Sequence, residues 1–149
     1  MRTTDFSAAP PQGQATAMFI GATRYTGLRP MLHTIRTWSP MIRRMKRMPG
    51  YRWHTVYYQF PFTLGTIAFF ADRDAMLKFA RSKHHRDLMC WLTDSGDERQ
   101  ATAGFIRLYA ADAHGYSNGH WRAEDGTMAH IPSWSPLSTE ETGPAVHRS

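Results

Sequence analysis

The feature that most restricts this chain is the way its apolar residues change period between positions 15 and 111. Residues 15–22 (ATAMFIGA) form a short apolar run of strand length. From Leu28 the spacing turns helical. Leu28, Met31, Leu32, Ile35 and Trp38 form one stripe, continued by Ile42 and Met45, with Arg29, His33, Arg36 and Arg43 on other faces. Ser39-Pro40 reads as a cap followed by proline at a first helical position, so the pattern predicts a kink or two consecutive helices. Pro49-Gly50 then turns the chain. Residues 51–60 (YRWHTVYYQF) are dense in aromatic and β-branched side chains and alternate as a strand does, and after Pro61 residues 63–71 form another. Asp72 suits an N-cap. Ala75, Met76, Phe79 and Ala80 start a second helical stripe, which resumes after His84-His85 with Leu88, Trp91 and Leu92. Ser95-Gly96-Asp97 ends it, and residues 101–111 (ATAGFIRLYAA) are the last strand.

The order is therefore strand–helix–strand–strand–helix–strand, which predicts an α+β domain of ferredoxin-like βαββαβ type. Four antiparallel strands bury one face under two helices. The other face, carrying Trp53, Tyr57 and Phe69 or the alternate set, is left open. An apolar sheet face of that size calls for a second copy, so the expected assembly is a homodimer with sheet packed on sheet, a dimeric α/β barrel. Residues 1–14 read as a disordered segment, 15–111 as the domain, and 112–149 as a polar extension.

A length of 149 residues suits one such domain. Cys90 is the only cysteine, which excludes an internal disulfide framework and the common cysteine-based zinc patterns. No apolar run approaches the roughly 20 residues that span a bilayer, and residues 1–14 lack a signal-type apolar stretch, so the expected setting is cytoplasmic, away from membranes. The net charge of +6 draws heavily on Arg43, Arg44, Lys46 and Arg47. No nucleic-acid motif accompanies that cluster, so a solvated helix face is the plain reading.

The segment from Arg43 to His85 resembles the spheroidene monooxygenase-like proteins, within the antibiotic-biosynthesis-monooxygenase superfamily. The resemblance lies in a Met/Arg-rich helix (MIRRMKRM), a Pro-Gly turn, an aromatic strand, and AFFADRDAMLKFARSKHH, where a strand runs into a helix with a Phe-Ala pair and a following histidine. The last strand lacks the acidic-aromatic ending of those relatives, and the tail differs. The resemblance implies a dimeric α/β barrel in secondary metabolism, with oxygen-dependent or haem-associated activity and a helix histidine as axial ligand.

The candidate residues follow. His84 and His85 are the candidates for holding haem or a metal; continuing the helical stripe turns His84 inward rather than His85, while a surface position for both stays open. Trp53 is a candidate for lining the cofactor. His54, with Tyr57 and Arg52, makes a candidate acid/base and anion-holding set on one strand. Aromatic strand residues are also plain core, and strand arginines such as Arg52 and Arg107 are also surface charges. His114 and His120, beside Trp121, are weak metal candidates, and Cys90 reads as a buried inert thiol. No phosphate loop, nucleophile elbow or paired catalytic carboxylates occur. Three functions remain: a haem-associated monooxygenase acting on a hydrophobic or aromatic metabolite; a cofactor-free monooxygenase or cyclase on the same barrel; and a non-catalytic module binding an anionic partner.

Overall fold

The computed structural model describes residues 2–93, 99–117 and Trp121. In chain order the elements are β1 (Arg2–Thr3), β2 (Ala17–Tyr25), α1 (Leu28–Met45), β3 (Tyr51–Gln59), β4 (Thr63–Phe70), α2 (Arg73–Ala80), α3 (Lys83–Thr93), β5 (Ala101–Ala110) and β6 (Gly115–Tyr116). They fall into two units, Ala15–Ala111 and a second one drawn from both ends of the chain.

In the Ala15–Ala111 unit, four antiparallel strands lie in the order β3-β4-β2-β5. The chain is thus an α+β protein of ferredoxin-like βαββαβ type, with the second helical stretch divided in two. The pairings Ala17↔Phe70, Phe19↔Ala68 and Gly21↔Thr66 put these residues on the face that the helices cover. Phe19, Phe70 and Phe79 stack at 5.9–6.2 Å between ring centroids, and Met45 and Met76 close around them. The opposite face carries Met18, Ile20, Ile67, Phe69, Trp53, Tyr57, Phe105 and Tyr109, as the registers Met18↔Phe69, Ile20↔Ile67 and Met18↔Tyr109 require. Gly65 opens room there, since the Tyr57 ring lies where a Cβ at position 65 would stand. Trp53, Phe105 and Tyr109 remain 38%, 53% and 43% exposed. Trp53, Tyr57 and Phe69 do therefore share the uncovered face.

Two helical expectations are corrected. Of the kink or two consecutive helices expected at Pro40, the second is excluded: residues 28–45 form one helix that continues through Pro40. The carbonyl that Pro40 leaves without its donor belongs to Arg36, an exposed residue. The inward stripe is Met31, Thr34, Trp38, Met41 and Met45, at steps of three and four, while Leu28, Leu32 and Ile35 are exposed. The second helical stretch, read from the sequence as continuous, breaks between Ala80 and Lys83. There the His85 ring Nδ1–H donates to the Ala80 carbonyl at 2.9 Å, and Ser82 Oγ accepts from the His85 backbone N–H. Side chains thus satisfy helix-end groups that a continuous helix would have paired internally.

The start of α2 is set by Asp72, whose Oδ1 accepts from the Ala75 N–H at 2.7 Å. Asp72→Ala is expected to cost about 1 kcal/mol, the usual worth of such a cap, read as a lower denaturation midpoint with unchanged slope in urea.

In the second unit β1 and β6 pair antiparallel, Arg2↔Tyr116 and Thr3↔Gly115. Turns follow β1 where the sequence predicts disorder: Ala9 donates to the Phe6 carbonyl and Gly13 to that of Pro10. His114 lies 3.5 Å from Asp112, whereas His120 lies outside the described residues. Among the described residues, no helix is long and apolar enough to cross a membrane.

Candidate functional site

A cavity of about 630 Å³ lies between the helices and the covered face of the sheet. Phe19, Gly21 and Thr23 of β2 form the middle of its floor, flanked by Leu64 and Thr66 of β4 and by Gly104 and Ile106 of β5. Gly21 and Gly104 leave the floor without side chains where β2 meets β5. Thr34 and Trp38 of α1 and His85, Leu88, Met89 and Leu92 of α3 form the other wall. Most of this lining is apolar, the usual make-up of a site for a hydrophobic small molecule. Arg99 is the one residue of permanent charge among the described residues that line it.

His85 is the group with chemical potential here. Its Nδ1–H is committed to the Ala80 carbonyl, so in the neutral ring Nε2 carries the lone pair. Burial lowers its pKa from 6.5, and the Ala80 hydrogen bond opposes this only in part. A ring held neutral, in a fixed tautomer and on an apolar wall is suited to taking a proton or ligating a metal through Nε2. Phe79 packs on it at 5.1 Å between centroids and fixes its position.

His84 differs. It is exposed, and Arg44 donates to its ring. Because a guanidinium only donates, the His84 nitrogen that faces it is the one a metal would need. The inward turn expected for His84 is corrected: the break at residues 81–82 resets the helix, so that His85, Leu88 and Leu92 share one side. Among the described residues no three His, Cys, Asp or Glu side chains gather in a way that could hold a metal ion.

The set His54, Tyr57 and Arg52 is not brought together. His54 shares the covered side with Ala68, and its Nδ1 lies 2.6 Å from the Tyr51 hydroxyl. Burial, and secondarily the Lys46 charge, lowers the His54 pKa, while burial raises that of Tyr51. Tyr57 lies on the opposite face beside Gly65, and Trp53 on that same face against Phe69 at 5.7 Å. Arg52 is the exposed extra residue of the irregularity between Tyr51 and Trp53. Arg107 pairs with Ile20 on the uncovered face. Cys90, expected to be buried, is exposed. None of these lines the cavity.

Trp38 was legible only as one member of a helical stripe, yet it contributes a cavity wall. Its step of four from Thr34 and three to Met41 was the available signal. Tyr25 is also at the wall, buried, with its pKa raised by burial against hydrogen bonds to Thr34 and Thr23.

No protein-family model and no curated protein matches the sequence. Solved structures do match the fold. SnoaB, a cofactor-independent oxygenase from Streptomyces nogalater, is 15% identical; the match covers 66% of this chain and 94% of SnoaB, with a TM-score of 0.51. An antibiotic biosynthesis monooxygenase matches at 13% identity, over 64% of this chain and 98% of its own, with a TM-score of 0.53. A conserved protein from Methanosarcina mazei Go1 matches at 16% identity, over 66% and 96%, with a TM-score of 0.53. The chain therefore has the fold of the antibiotic biosynthesis monooxygenases.

Proposed function

We propose that this chain is an oxygenase of the antibiotic-biosynthesis-monooxygenase type that acts on a hydrophobic or aromatic small molecule held between helices and sheet. The observation that carries this reading is His85, a neutral imidazole with Nε2 uncommitted, on the wall of a mainly apolar cavity. The cofactor-free form of the reaction needs little more. An acidic C–H or O–H of the substrate gives its proton to Nε2, and the resulting anion delivers electrons to oxygen. The mainly apolar walls limit the water that surrounds the anion. The fold shared with a cofactor-independent oxygenase supports this form. The homodimer, packed through the uncovered sheet face, belongs to the same proposal. Placement in the cytoplasm and in secondary metabolism, and the narrower likeness to spheroidene monooxygenase-like proteins, rest on sequence alone.

The test is oxygen uptake with 9-anthrone, a planar ketone whose enolate reacts with oxygen to give anthraquinone and water. The expected result is uptake above buffer that persists with a chelator and without added haem. No uptake above the buffer rate contradicts the reading.

One observation supports haem as a second reading: Nε2 of His85 is uncommitted and would be the nitrogen to hold the iron, with Arg99 on the same lining as the cation for a propionate. A bound haem would supply oxygen binding and activation. Haem added to the pure protein should then give a Soret band that His85→Ala abolishes and His84→Ala leaves. A band that survives His85→Ala contradicts axial ligation by His85.

A further inference from the structure

Most hydrogen-bonding groups on the described lining of the cavity are committed or out of reach. The hydroxyls of Thr34, Thr93 and Thr102 donate to the carbonyls of Pro30, Met89 and Arg24 at 3.1, 2.8 and 3.3 Å. The Trp38 indole nitrogen is sealed from any entering molecule. Thr66, paired with Gly21 on the floor, has a neutral hydroxyl that both donates and accepts, so it selects no charge. Arg99 differs from all of these. It carries the only permanent charge among the described lining residues, and no Asp or Glu lines the cavity with it. It is exposed, so solvent and an entering molecule both reach it. The ion pairs among the described residues, Lys83–Asp87 and Asp112–His114, leave it out. Its place is set by the start of β5, where the Gln100 carbonyl accepts the Thr26 N–H at 3.1 Å and Ala101 pairs with Tyr25.

We infer that Arg99 anchors a carboxylate of the bound molecule, so that the cavity takes a flat hydrophobic acid in preference to a neutral hydrophobe. This deepens, and rests on, the reading of the cavity as the substrate site. A guanidinium presents paired N–H donors that match the two oxygens of a carboxylate. Beside apolar walls that attraction is stronger than in open water. The apolar body then lies over the side-chain-free floor at Gly21 and Gly104, with its charged end at the exposed side of the cavity where Arg99 stands. Asp97 and Glu98 precede Arg99 in the sequence and lie outside the described residues. A ligand carboxylate competes with them and with water, which holds the expected gain to about ten-fold. A haem propionate would meet the same cation, and an iron-free acid tested without haem separates the two sources.

The experiment compares the 1-, 2- and 4-carboxylic acids of 9-fluorenone, ionised at neutral pH, each with its own carboxamide, a neutral group of nearly the same shape. Binding to the full chain without haem is measured by calorimetry. The expected result is that at least one acid binds about ten-fold tighter than its amide. That advantage should vanish in Arg99→Gln and persist in Arg107→Gln, which removes the arginine of the uncovered face. The comparison of acid with amide uses the wild-type chain and stands even if a variant fails to fold. Acids that bind no tighter than their amides, or an advantage that survives Arg99→Gln, overturn the inference while leaving the cavity as a binding site. Failure of every acid and amide to bind overturns the cavity reading together with it.

Discussion

His85→Asn is expected to slow turnover of 9-anthrone by about 10²–10⁴-fold, the range a positioned general base supplies. Asparagine keeps an N–H that can still donate to the Ala80 carbonyl, so the junction between α2 and α3 is retained while the basic nitrogen is lost. The loss should fall on kcat rather than KM, since the cavity walls are otherwise unchanged. The pH dependence carries a sign. Burial depresses the folded pKa of His85 below 6.5, so the basic form fills as pH rises through that lower value, and activity should level off above it. Stability follows the same direction. His85 and His54 are both depressed when folded, so the unfolded chain takes up protons first as the solution is acidified from about 6.5. Their contribution is full above that value and is lost as pH falls through the folded pKa values. Urea midpoints that fall between pH 7.5 and 5 in the wild type, and fall less in His85→Asn, are the expected observation.

Ile67→Glu is expected to dissociate the proposed homodimer, raising its dissociation constant by at least about 10²–10³-fold. Ile67 lies on the uncovered face of β4, paired with Ile20 of β2 and Thr55 of β3, at the middle of the four-stranded sheet. A carboxylate sealed there against a second sheet has no cation beside it in the registers, and burying an unpaired charge costs several kcal/mol. Arg107 lies two strands away on β5, an edge of the sheet, where a long side chain can reach solvent at the rim. Leu32→Glu, on the exposed side of α1, is the matched control and should leave the assembly intact. Sedimentation equilibrium at micromolar concentrations reads both. A wild-type chain that sediments as a monomer throughout would contradict the dimer.

The strands were legible because their residues do two things at once. Tyr51, Trp53, Thr55 and Tyr57 alternate in a run of high strand propensity, and Pro61 marks where the run must turn. Period two puts Trp53 and Tyr57 on one face, the register Trp53↔Phe69 adds Phe69 to it, and the irregularity after Tyr51, which the alternation does not signal, turns Tyr51 to the covered side. The inner side of α1 was harder. Apolar residues occupy both sides of that helix, so a count of apolar positions admits Leu28, Leu32 and Ile35 beside the true inward set. Neither pattern nor propensity reports which of two apolar stripes meets the sheet. The candidate site suffered from one local event. A continuous helix carries the stripe of Met76 and Phe79 towards His84, whereas the break at Ser82 advances the register and brings His85 in. The signal was present, since Ser82 is an N-cap residue type placed just before Lys83, but it competes with an unbroken helical period. The cavity itself has no sequence signature. It arises where Gly21 and Gly104, from strands 83 residues apart in sequence, leave a shared gap under α1 and α3.

The two sheet faces offer rival homes for a ligand: the helix-covered one with His85, and the uncovered one with Trp53, Tyr57 and Arg107. A crystal structure of the full chain with 9-fluorenone bound decides between them. The expected result is this planar tricyclic ketone lying over Gly21 and Gly104 with His85 at its edge. Fluorenone seated instead against Trp53 and Tyr57, with the cavity beneath α1 and α3 closed to it, would contradict the placement of the site.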